Sequence, residues 1–138
     1  MARHTQRWKV RLDQEFGHRD ITADVAHVVA QAGVRDGLAL VALPGSTGAV
    51  TTIEYEPGAL ADFRRALDVV APTSQSYAHD ARWGDGNGFA HVRSALLKPT
   101  LTVPIVDGRL ELGTWQQIVV LNLDNRPRER EVVVVVVG

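Results

Sequence analysis

Two histidines stand twelve residues apart in the most polar stretch of the chain, in Tyr77-Ala-His79-Asp80 and Gly84-Asp85-Gly-Asn87-Gly-Phe-Ala-His91. Imidazoles beside carboxylates serve two chemistries. His79 and His91 could hold a divalent cation, or they could form an acid–base pair that moves protons near neutral pH. The carboxylate could be Asp85 of the same segment or Glu54 from an earlier strand. The spacing is not that of a helical H-E-x-x-H, so two partly exposed histidines making ordinary hydrogen bonds fit it as well. Asp85-Gly86-Asn87-Gly88 is not a calcium loop. Counted from Asp85, the sixth and twelfth positions hold Ala90 and Leu96, where glycine and glutamate are needed. Glycines and Asn87 in tight turns explain it better.

Three other clusters carry polar groups. Gly45-Ser46-Thr47-Gly48 offers amides and hydroxyls that could cradle a phosphate or carboxylate, although it matches neither a phosphate-binding loop nor a nucleophile elbow. A strand-connecting turn is the plainer reading. Gly113-Thr114-Trp115-Gln116 opens a strand with an aromatic residue suited to a core or interface. Arg126, Arg128 and Arg130 form a basic turn that could meet a phosphate, but a solvated hairpin tip is the simpler expectation.

The elements that must position these groups follow from periodicity. Alternation predicts strands at Trp8–Leu12 and over residues 15–21, and apolar runs predict strands at 38–43 and 49–55. Asp107-Gly108 predicts a hairpin between residues 101–106 and 109–112, and residues 115–123 and 130–137 read as a second hairpin. Thr22 is the expected N-cap of a helix ending at Gly33; Pro57 opens a second helix that Pro72 closes; a short third covers 89–97. Residues 73–88 read as a long loop, a common place for function. The fold class is therefore α+β: a mostly antiparallel β-sandwich of about eight strands, two longer helices and one short helix, in a single domain over 1–138. The run Val132–Val137 should be buried on both faces, one of them by a second subunit.

Composition narrows the classes. The chain has no cysteine, which removes disulfides, thiolate metal sites and thiol nucleophiles. With 15 basic and 16 acidic side chains and a formal charge of −1, it presents no global field for nucleic acid or an anionic membrane. The polar N-terminal segment lacks a signal-peptide core and no apolar run reaches membrane-spanning length, so the cytoplasm is the expected location.

Taken in order, Gly45-Ser-Thr-Gly-Ala-Val-Thr-Thr-Ile-Glu54, Tyr77-Ala-His79-Asp80, His91-Val-Arg-Ser-Ala-Leu-Leu, Leu101-Thr-Val-Pro-Ile-Val-Asp-Gly-Arg-Leu and Leu112-Gly-Thr-Trp-Gln116 closely resemble the YjbQ-like family, also labelled secondary thiamine-phosphate synthase. The resemblance implies a homotrimer with a polar pocket near the subunit contacts. Its site residues would be Thr47, Glu54, His79, Asp85 and His91, with Ser46 and Asn87 beside them and Thr114 and Gln116 in support. Relatives often carry histidine at the positions of Ser46 and Phe89, so a site with a divalent metal (Zn or Mg) would rest here on His79, His91 and a carboxylate, with water in the open positions. Joining a pyrimidine diphosphate to a thiazole phosphate also requires a phosphate clamp. Beside the histidine segment the sequence offers only Arg82 and Arg93 for it.

Three readings follow. One is a metal-assisted or acid–base enzyme acting on a small phosphorylated or carbonyl substrate, with thiamine-phosphate synthesis as a weak side activity. Another is a non-catalytic trimer that binds a small ligand or metal. The last is an interaction protein whose polar groups satisfy one another.

Overall fold

The computed structural model describes residues 3–138. Eight strands and four helices follow in the order β1 (Arg3–Leu12), β2 (Gly17–Asp20), α1 (Thr22–Ala32), β3 (Gly37–Ala42), β4 (Gly48–Ile53), α2 (Pro57–Val70), α3 (Ala78–Trp83), α4 (Gly88–Leu97), β5 (Thr100–Val106), β6 (Arg109–Leu110), β7 (Gln117–Asn122) and β8 (Arg128–Val137). They build a five-stranded sheet in the order β1-β8-β3-β5-β6 and a three-stranded sheet in the order β2-β7-β4. Every pairing is antiparallel, as short connections require.

The three-stranded sheet is the middle layer. Val50, Ile118 and Val120 on one face join Val41, Val103, Val132, Val134 and Val136 of the large sheet and Val25, Val28 and Val29 of α1 in one apolar core. Ala49, Val119 and Leu121 on the other face pack with Leu60 and Leu67 of α2 and Phe89 of α4. β7 is thus buried on both faces by its own chain, and Ile118 through Leu121 are each 0% exposed. In β8 the alternation gives Val132, Val134 and Val136 to the core, while Val135 and Val137 remain half-buried on the outer face.

Three local expectations are corrected. β7 and β8 do not form a hairpin; they lie in different sheets, and the turn between them crosses from one layer to the other. Residues 73–88 are not all loop, since α3 occupies Ala78–Trp83 and ends on Gly84 at φ 68°. Thr22 stands inside α1, with Ile21 as cap. Its hydroxyl donates to Asp20 Oδ1 (2.6 Å) and accepts from the Ile118 amide (2.8 Å), so it stitches the helix start to β7.

The second helix is capped by Glu56, whose carboxylate accepts the amides of Gly58 and Ala59, both at 2.7 Å. At its other end Arg93 of α4, 1% exposed, donates to the Ala71 carbonyl (2.9 Å) and to Asp68 (2.8 Å). Arg93 is therefore a clamp between α2 and α4. It is out of reach of a phosphate.

Candidate functional site

Three chain segments meet at one end of β4. The turn entering that strand supplies Ser46 and Thr47, the α3–α4 region supplies Asp85, Asn87 and His91, and the turn after β7 supplies Asp124, Asn125, Arg126 and Arg128. Together they line a cavity of about 480 Å³, a volume suited to a small ligand. Ser94 Oγ fixes α4 to the β4 start by donating to the Gly48 carbonyl at 2.6 Å.

The floor is a buried polar network in which only Arg130 Nε lacks a partner among the described residues. Asp124, 0% exposed, receives Thr47 Oγ1 (3.0 Å) and Arg128 Nε (3.1 Å) on Oδ2 and the Arg126 amide (3.1 Å) on Oδ1. Arg130, 8% exposed, donates through Nη2 to Thr47 Oγ1 (2.7 Å) and Asn122 Oδ1 (2.6 Å). Burial works to raise the Asp124 pKa. Polar contacts from Thr47, Asn87 and Arg128, with the charge of Arg128, outweigh it and hold the carboxyl below its ordinary value. Burial lowers the Arg130 pKa and Asp124 opposes that shift.

The wall is set by glycine. A Cβ on Gly88 would lie 2.5 Å from Tyr77 Cβ, so only glycine lets α4 start against the Tyr77 ring. The Gly88 amide donates to Asp80 Oδ1 at 2.8 Å, which ties α3 to α4. Gly86, at φ 66°, turns the chain between them. Asn87 is buried and accepts the Asn125 amide at 3.1 Å, which joins this wall to the β7–β8 turn.

Against this wall the His79 and His91 rings stack with centroids 4.4 Å apart and planes 39° from parallel. His79 Nδ1 lies 3.6 Å from Asp80 Oδ1 and 3.4 Å from Asp85 Oδ1, and it has no hydrogen-bond partner. One donor atom from each of these three residues falls within 4.8 Å of the others. Two ligand atoms at ~2.05 Å from a tetrahedral zinc would be about 3.4 Å apart, so the donor set fits a small divalent cation. His91, paired with His79 as a ligand from the sequence, stacks on its ring and is not among the converging donors.

The remaining sequence-predicted residues lie elsewhere. Glu54 follows the far end of β4, roughly 20 Å of extended strand from Thr47. Gln116 is at that same end, donating to Thr52 Oγ1 (3.2 Å) and accepting the Gly113 amide (3.0 Å), with exposed Thr114 beside it. The expected pocket is therefore divided within this chain. Of the arginines expected at a solvated tip, Arg126 is exposed, whereas Arg130 is buried together with Asp124 and Arg128 is partly buried against it. Parity was the available signal, because Arg128 and Arg130 share the strand face of Val132, Val134 and Val136.

A family model described as UPF0047 protein YjbQ-like matches residues 6–138. The chain belongs to this family. A UPF0047 protein of Methanothermobacter thermautotrophicus is 36% identical over 138 residues, covering 100% of this chain and 94% of the relative. One from Archaeoglobus fulgidus is 40% identical over 115 residues, covering 83% and 86%. Among solved YjbQ-like structures, that of a Sulfolobus solfataricus protein described as of unknown function superposes with a TM-score of 0.92 at 29% identity, over 99% of this chain and 97% of its own. A Clostridium acetobutylicum protein of the family gives 0.87 at 32% identity, over 96% and 99%.

Proposed function

We propose that this YjbQ-like protein is a cytoplasmic homotrimeric enzyme that acts on a small phosphorylated substrate by metal-assisted or acid–base chemistry. The observation that carries the reading is the convergence of imidazole, carboxylate and guanidinium groups on one cavity of about 480 Å³. Arg126, Arg128 and the Ser46 hydroxyl bind the phosphate, which supplies the clamp missing beside the histidine segment. His79, Asp80 and Asp85 hold a divalent metal, Zn or Mg, whose contribution is to polarise a phosphoryl oxygen or activate water. His91 takes or gives the proton. Thr47 and Asn87 hold Asp124 and Asn125 in place. Weak thiamine-phosphate synthase-type turnover falls within this class and is the first reaction to assay. Glu54, Thr114 and Gln116 gather at the far end of β4, too distant to reach the same ligand, so any part they take is played from a neighbouring protomer.

The test is elemental analysis of the purified oligomer together with a thiamine-phosphate synthesis assay and a phosphoester hydrolysis screen. His79→Ala should lose both metal and turnover. His91→Ala should keep metal and lose turnover at least a hundredfold, the usual size of a proton-transfer contribution. Turnover surviving both substitutions would identify a contaminant and defeat the enzyme reading.

A second reading is a non-catalytic trimer that binds a small ligand or a metal. It is favoured by the floor of the cavity, where Thr47, Asp124, Asn122 and Arg130 mainly satisfy one another. Metal and phosphate binding without turnover in either assay would select it.

A further inference from the structure

Outside the cavity already described, the β1–β2 turn meets the first turns of α2 around a pair of cavities. Two cavities of about 470 and 370 Å³ share Phe16, His18 and Arg64 as their common wall. Their remaining linings differ in kind. The first adds Arg11 and Arg19, and the second adds Pro57, Leu60 and Ala61. One half is thus cationic and the other apolar, on either side of a single ridge.

The ridge is aromatic. Phe16 meets Phe63 edge to face at 5.7 Å, His18 meets Phe16 at 5.7 Å, and Tyr55 meets His18 at 5.4 Å, with interplanar angles of 75°, 69° and 78°. Such an array offers ring edges and faces to a further flat group. Tyr55 Oη lies 2.9 Å from His18 Nδ1, which fixes the imidazole orientation. Burial lowers the His18 pKa, which favours the neutral ring and leaves the positive charge to the arginines. Arg64 stands 5.9 Å over the Phe16 ring and pairs with Glu15 at 3.3 Å. Among the described residues Arg11 and Arg19 have no carboxylate within ion-pair distance, and Asp13 is the one acid lining the cationic half. Guanidinium groups of this kind bind phosphate or carboxylate in forked pairs.

We infer that this double cavity binds a small anion carried on a flat apolar body, an aromatic phosphate or carboxylate, with the anion among Arg11, Arg19 and Arg64 and the ring against Phe16 and His18. It shares no lining residue with the cavity of the proposed reaction, so it stands or falls independently of that reading.

The test is an NMR titration of the intact oligomer with phenyl phosphate, following the imidazole signals of His18 and His91. His18 should shift saturably at millimolar ligand, while inorganic phosphate or phenol alone should bind at least about tenfold more weakly, since each supplies one half of the recognition. Arg64→Met and Arg19→Gln, both at exposed guanidinium groups, should each weaken phenyl phosphate about tenfold, and His91→Ala should leave it unchanged. A His18 signal unmoved by phenyl phosphate and by benzoate alike would overturn the inference. So would a shift that survives Arg64→Met with Arg19→Gln, or one abolished by His91→Ala. Benzoate in place of phenyl phosphate tells which anion is preferred, and failure of both defeats the site.

Discussion

A threonine hydroxyl carries one proton and two lone pairs. At Thr47 the proton goes to Asp124 and a lone pair receives Arg130, which leaves nothing to donate to a ligand anion. Ser46, exposed beside it, keeps its proton free for that purpose. Thr47→Val should therefore cost stability more than phosphate affinity, by about 1–3 kcal/mol in urea unfolding, because it removes one hydrogen bond from each of two buried charged partners. Asp124 has a folded pKa below its ordinary value of 3.8, so its stabilisation is present above that value and lost as pH falls through the lower folded one. Asp124→Asn should then destabilise by about 3 kcal/mol at pH 7, and the gap from wild type should close as the pH drops below about 4. Equal destabilisation at pH 7 and pH 3 would show that the charge contributes nothing. His18 runs on the same sign, since burial lowers its pKa from 6.5 and the folded state gives up stability as the pH falls below that value. At this scale the sequence was half legible. His79, Asp85 and His91 announce themselves by type in a polar, glycine-rich stretch. Asp124 in the turn after β7 and Arg130 early in β8 look solvated until the topology buries them.

Elements place these groups by a few tight contacts. The Gly88 Cα against Tyr77 and the Asp80–Gly88 hydrogen bond hold α3, which buries none of its own residues, against α4. Gly88→Ala should push α3 away and separate His79 from the Asp85 wall. Its expected signature is loss of metal binding with a small change in melting temperature, seen by elemental analysis and calorimetry. Arg93→Met keeps the volume of the α2–α4 clamp but orphans the Ala71 carbonyl and frees Asp68, which should cost about 2 kcal/mol in chemical denaturation. The strands and both longer helices could be read from periodicity, because alternation and helical stripes are local. The β7–β8 crossing could not, since whether two adjacent strands pair or part is decided by which sheet has a vacant edge. The short helix α3 also escaped, having no buried stripe to betray it.

At the scale of the whole molecule, the outer face of the large sheet is unfinished. Leu38 pairs with Val137 and Leu40 with Val135 on that face, and the two leucines are 47% and 38% exposed. Adjacent Val106 is exposed as well. A contiguous apolar patch on a sheet is what a subunit contact requires. It supports the proposed trimer. Leu38→Asp with Leu40→Asp should give a folded monomer by light scattering and circular dichroism, and an unchanged oligomer would move the contact elsewhere. Mixing Glu54→Gln and His91→Ala protomers asks whether the two ends of β4 work together, since recovered turnover requires one intact pair across a boundary.

The order of strands also sets a schedule. β8 lies between β1 and β3, and its Val137 pairs with Arg3. A ribosome adding about 5–20 residues per second needs roughly ten seconds to deliver that partner. From the completion of β3 onward, β1 and β3 hold edges open for a strand not yet made. The nascent chain is most in need of a chaperone just before its six valines emerge.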